Sequence, residues 1–218
     1  MEAPRLIDGY HDTRLAPDPR RDVVWKALWH YYFRHRVRPS DTVLDLGSGY
    51  GDFINNVVAE RRIAIDLWPG FAAHLDSNIE AIVGPVSDLS RIADGSVDYA
   101  FASNLFEHVT QQEFADTLPS LRKKLTPDGS LTILQPNYRY AYREYFDDYT
   151  HVSIYSHISI CDLLAANGFE AVEVRPRFLP LTVKSRLPTW GPLIGLYLRS
   201  PLKPLGKQML VRARPIRT

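Results

Sequence analysis

The sequence predicts an α/β fold in which a mostly parallel sheet is covered by helices on both faces. Short apolar segments alternate along the 218 residues with longer segments whose apolar side chains recur at helical spacing. Turns that contain proline or glycine separate these segments. Strands and helices that alternate in this way form βαβ units, in which successive strands run parallel.

The N-terminal half begins with an amphipathic helix and continues with four strands. Residues 20–36 place apolar side chains at helical spacing, and arginine and histidine fill much of the other face. These apolar residues are Val24, Trp25, Leu28, Trp29 and Tyr32. The predicted strands cover 42–48, 62–68, 79–85 and 96–104, and a helix over about 51–60 joins the first two.

The C-terminal half continues the alternation. Residues 111–125 have a helical pattern in which Pro119 indicates a kink or a break into two pieces. A turn leads into a strand over 130–136, and a helix over about 156–167 ends at an Asn-Gly pair that is typical of helix C-termini. Two further strands are predicted over 169–176 and 207–215.

Composition and charge indicate one globular domain with a basic edge. Cys161 is the only cysteine, and the sequence contains neither a secretory signal pattern nor an apolar run long enough for a membrane span. We therefore expect a single cytoplasmic domain over 1–218. Neither Asp nor Glu follows Glu173, so the formal charge is −9 over 1–173 and +10 over the remainder. The basic part either meets an anionic partner or folds back on the acidic body.

Three glycines follow the first predicted strand, in "LDLGSGYGDF". Such a turn usually lies at the carboxyl edge of the sheet and binds a nucleotide. The Gly-Ser-Gly-Tyr-Gly spacing is one residue tighter than the dinucleotide pattern, and Asp45 before the first glycine would oppose a phosphate. A nicotinamide-dependent oxidoreductase is therefore disfavoured.

Three acids at strand ends indicate a different nucleotide. Asp66 follows Gly47 by 19 residues and suits the two hydroxyls of a ribose. Asp88 suits a donor such as an adenine amino group, and Asp45 favours a ligand with positive charge. S-adenosylmethionine has a ribose, an α-amino group and a sulfonium but no phosphate, so it satisfies all three acids. The alternative interpretation makes Asp66 and Asp88 helix caps and the glycines an ordinary tight turn.

Five segments carry a family resemblance: "VLDLGSGYG", "AIDLWP", "GPVSDL", "DGSVDYAFASNLFEHV" and "LRKKLTPDGSLTILQPN". In their order and spacing they resemble the motifs of class I S-adenosylmethionine-dependent methyltransferases, most closely the small-molecule branch, over roughly residues 40–175. The resemblance implies a Rossmann-like sheet whose C-terminal strand is antiparallel. The cofactor-binding residues that it implies are Asp45, Gly47, Ser48, Gly49, Tyr50, Asp66, Leu67, Asp88, Leu89, Asn104 and Leu105.

The segment after the fifth strand supplies candidate catalytic residues. Residues 138–151 contain five tyrosines together with Asp147, Asp148 and His151. In this topology the segment lies over the methyl end of the cofactor, where a histidine beside carboxylates can be the general base for a hydroxyl. His108, which follows the fourth strand in a Glu-His pair, is the alternative base. The competing interpretation makes Asp148 a turn cap and the histidines structural.

These residues predict O-methylation of a hydroxyl on a sugar, a glycan or another small acceptor. The alternatives are N- or C-methylation of a natural-product or quinone-like ring, and a cofactor-binding protein without turnover. The Asp-Asp-x-x-His spacing also suits a metal site, but the further acids that catechol-type enzymes need are not identifiable, so we expect no metal. Nucleic acid is disfavoured because the fourth strand is not followed by Asn-Pro-Pro-Tyr.

An insert over 177–206, between the last two strands, is apolar and carries only basic charge. Its predicted helix over 193–198 is either a lid on the substrate pocket or a peripheral membrane contact, with Arg186, Arg199 and Lys203 toward anionic headgroups. The domain would then comprise a helical segment, a cofactor-binding core, this insert and the last strand, over 1–39, 40–176, 177–206 and 207–215. The sequence indicates no oligomeric state.

Overall fold

The computed structural model describes residues 18–180 and 190–216, in which seven strands form one sheet. The strands are β1 (Thr42–Leu46), β2 (Arg61–Asp66), β3 (Glu80–Val83), β4 (Val97–Ser103), β5 (Leu125–Pro136), β6 (Phe169–Pro180) and β7 (Gly206–Pro215). The helices are α1 (Pro19–Tyr31), α2 (Gln111–Lys124), α3 (Tyr138–Ala141), α4 (Ser159–Ala166) and α5 (Gly191–Arg199). The mostly parallel α/β fold is thereby confirmed.

The strand order β3-β2-β1-β4-β5-β7-β6 reverses direction between β1 and β4. The chain builds outward from β1 through β2 to β3, then returns to place β4 on the other side of β1. Leu46 pairs in parallel with Ile65 of β2 and with Ala102 of β4, so the carboxyl ends of these three strands are level. A crevice at such a reversal is where open α/β sheets bind ligands. β7 runs antiparallel to both neighbours, as the resemblance implied.

Both faces of the sheet are buried, which explains the near-continuous apolar strands. Along β1, Leu44 and Leu46 face the hydrophobic cluster that α2 and α4 complete, whereas Val43 faces the opposite cluster. Phe33, Phe53 and Phe101 lie in that second cluster, which α1 and α5 cover. The aromatic rings there meet edge to face or tilted, with the Phe33 and Phe101 centroids 5.2 Å apart.

Helix α2 is continuous over its 14 residues, with Pro119 inside it, so the predicted break does not occur. Its N-terminus is held by a capping box, in which Thr110 and Glu113 each accept a hydrogen bond from the other's backbone N–H. Phe114 lies before the proline and Leu121 after it, and both are fully buried against the sheet. Packing on both sides therefore holds the helix together where the proline removes one backbone hydrogen bond.

The predicted helix over 51–60 is wrong. Only a single turn of 3₁₀ helix forms there, over Ile54–Asn56, and the rest of the connection from β1 to β2 is turn and extended chain. Two asparagines followed by two valines are poor helix formers, because asparagine competes for backbone hydrogen bonds and β-branched side chains lose rotamer freedom. The glycine turn is consequently not the start of an α-helix.

The insert differs in extent from its prediction, because β6 continues to Pro180. Its predicted helix is present as α5, which packs on α1: a Cβ built on Gly195 would lie 2.8 Å from the ring of Tyr31. Arg186 lies outside the described residues. Among the described helices none has the length and apolar character that a bilayer span requires.

Candidate active site

The glycine turn closes the carboxyl end of β1 and is bonded to β2. Gly47, Gly49 and Gly51 all have positive φ, at 68°, 54° and 71°, which explains why glycine occupies each position. The N–H groups of Gly47 and Ser48 both donate to the carbonyl of Ile65, at 2.9 and 3.2 Å. The turn is thus held at the carboxyl ends of β1 and β2, at the strand-order reversal.

Asp66 ties the end of β2 to this turn. One carboxylate oxygen accepts a hydrogen bond from Gly49 N–H at 2.7 Å, and the other accepts one from Trp68 N–H at 2.8 Å. Leu67 beside it is exposed, and the Tyr50 ring packs edge-on against Trp68. The structure therefore brings together the predicted glycine, ribose and turn residues.

Asp45 is a buried carboxyl beneath the same turn. Its carboxyl accepts hydrogen bonds from the Ser48 hydroxyl, at 2.9 Å, and from the backbone of Ile54, and among the described residues no lysine or arginine forms an ion pair with it. Burial raises the pKa of Asp45 to about 8, although the Ser48 hydrogen bond opposes the rise, and the neighbouring acids Asp66 and Asp52 add to it. A cationic group placed here would supply the missing charge partner.

The turn after β4 covers the glycine turn. Asn104 has a φ of 48°, and its side-chain oxygen accepts a hydrogen bond from Gln208 on β7 at 3.0 Å. Leu105 leaves no space for a side chain on Gly47, because a Cβ there would lie 2.8 Å from Leu105 Cδ1. The two turns therefore touch, as the predicted cofactor site requires.

The two predicted adenine residues differ in environment. Asp88 is exposed, and hydrogen bonds from the Ser90 hydroxyl and from Ser90 N–H, the latter at 3.1 Å, lower the pKa of its carboxyl. Leu89 is buried and belongs to the core cluster below α2 and α4. Asp88 thus makes the local contact expected of a capping residue. It also follows the carboxyl end of β3, where the adenine was predicted to bind.

A second group of polar side chains lies immediately beyond Leu105. His108 N–H donates to the Leu105 carbonyl at 2.9 Å, which closes a tight turn containing Glu107. Val152 and Ser153 donate their N–H groups to the Glu107 carbonyl, at 2.9 and 3.2 Å, and so hold the segment after β5 against this turn. His151 is brought to His108 in this way, with ring centroids 4.8 Å apart.

Asp148 orients His108 through Thr150. The Thr150 hydroxyl donates to Asp148 at 2.6 Å and lies 2.8 Å from His108 Nδ1. Because the hydroxyl proton is used on Asp148, Thr150 accepts from His108, whose Nδ1 therefore carries the proton. Burial would raise the pKa of Asp148, but the hydrogen bonds from Thr150 outweigh it and lower that pKa.

His151 is oriented by a backbone group. Its Nδ1 lies 2.6 Å from the carbonyl oxygen of Tyr145, which can only accept, so this nitrogen carries the proton too. Burial, with a smaller contribution from the adjacent His151, lowers the pKa of His108 to about 4. His108 is consequently a neutral imidazole at pH 7 with the lone pair on Nε2, and the Tyr145 carbonyl selects the same tautomer of His151.

Several predicted residues lie apart from this group. Asp147 is exposed at the end of a 3₁₀ turn over Tyr145–Asp147. Tyr145 is buried and donates its hydroxyl to the Ser153 carbonyl, while Tyr142 and Tyr149 are more than half exposed. Trp25 on the first helix packs edge-on against Phe53 and Phe101.

Glu107 is the functional candidate that sequence reasoning missed. It is fully buried, and burial raises the pKa of its carboxyl to about 8, with Asp148 adding to the rise. The available signal was the acidic residue directly before His108, in a turn that leaves the sheet at the predicted ligand edge. A buried acid between two histidines is a strongly perturbed group of the kind that marks functional sites.

Comparisons with known proteins identify the family to which the chain belongs. A family model described as "Methyltransferase domain" matches residues 18–174. The chain is 29% identical over 199 residues to malonyl-[acyl-carrier protein] O-methyltransferase of Methylococcus capsulatus, a match that covers 84% of this chain and 68% of that protein.

Two solved structures illustrate the similarity of fold. A SAM-dependent methyltransferase from Archaeoglobus fulgidus superposes with a TM-score of 0.69 at 16% identity, over 96% of this chain and 99% of that one. The 1,6-didemethyltoxoflavin-N1-methyltransferase of Burkholderia thailandensis, with bound substrate and S-adenosylhomocysteine, superposes with a TM-score of 0.62 at 19% identity, over 97% and 85%. At these identities the structures show the fold alone.

Proposed function

From the premise that this chain belongs to the class I S-adenosylmethionine-dependent methyltransferases, we propose that it methylates a hydroxyl oxygen on a sugar, a glycan or another small acceptor. The activity class and the cofactor follow from the family. The acceptor atom and the catalytic residues are the proposal, and the pair of oriented histidines beside the glycine turn carries it. The whole of 1–218 would act as one methyltransferase domain.

The residues at the glycine turn fit the cofactor. Asp45 is a buried carboxyl that forms no ion pair with a described lysine or arginine, and the cofactor carries positive charge on its sulfonium and α-amino groups. Gly47 lets the turn pack closely under Leu105, because a Cβ on Gly47 would lie 2.8 Å from Leu105 Cδ1. Asp66 at the end of β2 would accept from the ribose hydroxyls, and Asp88 would meet the adenine amino group.

The chain's own groups then have two tasks. When bound, S-adenosylmethionine supplies an electrophilic methyl group. The protein must hold the acceptor oxygen in line with that group, and it must remove the hydroxyl proton. The Nε2 of His151, or of His108 as the alternative, would take that proton, since Nδ1 of each ring already carries one.

Asp148 would support this proton transfer indirectly, through its hydrogen bond to Thr150. It holds His108 through Thr150 and leaves a negative charge within the same group, which would stabilise an imidazolium as it forms. Asp147, exposed at the end of its turn, would act only if the segment moved toward the site. The relative from Methylococcus capsulatus is named as an O-methyltransferase, which agrees with oxygen as the acceptor atom.

The test is methyl transfer from labelled S-adenosylmethionine into a cell extract of the source organism, followed by identification of the labelled product. We expect an O-methyl ether that survives mild alkali, and a fall of about 10²-fold or more for His151→Ala. His35→Ala removes an exposed histidine far along the chain and should leave the rate unchanged. Label on nitrogen, on carbon or in an alkali-labile carboxyl ester would contradict the proposal.

The insert supports a further proposal about where the acceptor resides. The described part of the insert exposes several large apolar side chains: Trp190, Leu196, Leu202 and Leu205. Its charged residues there are all basic, including Arg199 and Lys203. We infer a peripheral contact with an anionic membrane and a lipid-linked acceptor. Sedimentation with phosphatidylglycerol vesicles should fall for Leu196→Asp plus Leu202→Asp, whereas equal sedimentation would favour a soluble acceptor.

A further inference from the structure

One cluster in the described residues combines three metal-binding side chains. Glu107, His108 and His151 each present one ligand atom, and these atoms lie within 4.8 Å of one another. The first two come from the turn after β4 and the third from the segment after β5, which backbone hydrogen bonds hold together. Backbone hydrogen bonds thus assemble the cluster from two segments that follow β4 and β5.

The carboxylate of Glu107 is an unsatisfied buried group. The residue is 0% exposed, and neither side-chain oxygen accepts a hydrogen bond from another described residue. A buried charge without a partner is strongly unfavourable. Protonation would not remove the difficulty, because a neutral carboxyl still buries a hydroxyl and a carbonyl oxygen with no partner. A cation at this position would satisfy both oxygens.

Both imidazoles already have the orientation of metal ligands. Metal-bound histidines usually donate their second ring N–H to a carbonyl or a carboxylate, which directs the other nitrogen at the ion. His151 donates from Nδ1 to the Tyr145 carbonyl at 2.6 Å. His108 donates from Nδ1 to Thr150, whose hydroxyl bonds Asp148. In both rings the Nδ1 proton is therefore engaged and the lone pair lies on Nε2.

We propose that Glu107, His108 and His151 bind one divalent first-row transition-metal ion such as Mn²⁺, Co²⁺ or Zn²⁺. Two histidines and one carboxylate form a ligand set that leaves open positions on the ion. Bonds of about 2.1 Å place ligands about 3 to 3.5 Å apart, so the side chains close by about 1 Å on binding. Mg²⁺ and Ca²⁺ prefer oxygen ligands and should bind more weakly.

This ligand set differs from the one that the sequence suggested and disfavoured. That set was Asp147, Asp148 and His151, but Asp147 is exposed and Asp148 holds the Thr150 hydroxyl. Asp148 therefore orients His108 through Thr150 and is not itself a ligand of the ion. Only His151 is common to the two sets.

The consequence for catalysis rests on the proposed function. An acceptor hydroxyl bound at an open position of the ion would ionise more readily, because the cation stabilises the resulting alkoxide. With an ion bound, both imidazole lone pairs would be used as ligands, so this route, in which the hydroxyl proton leaves to solvent, would replace the general-base route proposed above for the protein without metal. Metal binding itself requires no acceptor, so its failure and the failure of the proposed function are separate results.

The experiment uses the tag-free full chain after treatment with EDTA. Isothermal titration with MnCl₂, CoCl₂ and ZnCl₂ at pH 7.5 should show one site per chain for at least one of the ions. Glu107→Gln, His108→Ala and His151→Ala should each weaken that site by tenfold or more. His35→Ala, which removes an exposed histidine outside the cluster, should bind as the natural chain does.

A variant that leaves all three ligands in place tests the site even if the ligand variants fail to fold. Thr150→Val keeps all three ligands but removes the hydrogen bond that orients His108, so binding should weaken about 10- to 100-fold. Circular dichroism without metal identifies variants that remain folded. No saturable binding of any of the three ions to the natural chain, or equal binding by the folded ligand variants, would overturn the proposal.

Discussion

Binding of S-adenosylmethionine should release about one proton from Asp45. The carboxyl of Asp45 is buried, and its pKa is raised to about 8, so it is largely neutral at pH 7 before the ligand binds. A ligand with net positive charge favours the ionised carboxylate and lowers its pKa. The proton that Asp45 loses must then appear in the buffer.

The magnitude follows from that pKa. A group with a pKa of about 8 is roughly nine-tenths protonated at pH 7 and about one-tenth protonated at pH 9. We therefore expect release of about 0.9 proton at pH 7 and about 0.1 at pH 9. Because the ionised form binds, the apparent affinity should rise with pH, about fivefold between pH 7 and pH 8, and then level off.

Isothermal titration in buffers of different ionisation enthalpy measures the released proton. Asp45→Asn has no proton to release and should show the same binding heat in every buffer. Asp88→Asn is the matched control, because hydrogen bonds to Ser90 already hold the pKa of Asp88 low. Asp88→Asn should release the same number of protons on binding, even if its affinity for S-adenosylmethionine is lower. A binding heat that does not depend on buffer in the natural chain, or a release retained in Asp45→Asn, would refute the assignment.

Three further predictions concern stability. Gly47→Ala places a Cβ on a backbone with φ of 68° and within 2.8 Å of Leu105. Urea unfolding should show that the free energy of unfolding falls by about 1–3 kcal/mol. The control Gly84→Ala, whose Cβ would meet nothing within 4 Å, should lower it by less than about 0.5 kcal/mol. Phe33→Ala empties a fully buried aromatic position, and the melting temperature should fall by about 10 °C; a fall under 3 °C would mean that the site collapses. Burial alone would raise the pKa of Glu173, but hydrogen bonds from Arg175, Arg36 and Tyr32 lower it to about 2. Its stabilising effect is therefore present above about pH 4.5 and lost toward pH 2, and Glu173→Gln should cost about 1–2 kcal/mol at pH 7 but little at pH 2.5, as urea titrations at both values would show.

The strands were predictable because burial alone largely determines which residue types occupy them. β1 and β4 are buried on both faces, so most of their positions are apolar and the segments are recognisable as strands. The connection after β1 was not predictable in the same way. A strand and a glycine turn normally lead into a helix, but the asparagines and valines at 55–58 have weak helix propensity, and tertiary contacts decided the outcome.

The meeting of the glycine turn with Asp66 was predictable from the sequence, and the contact between the two histidines was not. Gly47 and Asp66 meet because parallel strands bring their carboxyl ends to one edge, whatever their separation along the chain. His108 and His151 are 43 positions apart in a turn and a loop, for which no periodicity sets a direction. The backbone hydrogen bonds from Val152 and Ser153 to Glu107 make that contact, and they leave no sequence signature.

The sequence by itself determined the alternation of strands and helices, the glycine turn and the acid before it, because each depends on the local properties of neighbouring residues. Only the tertiary structure decided which acid accompanies the histidines. Asp147, adjacent to Asp148 in the chain, turns toward solvent, while Glu107 lies buried between His108 and His151. The physical reason is that burial and charge depend on what packs around a side chain, and those neighbours come from distant parts of the chain.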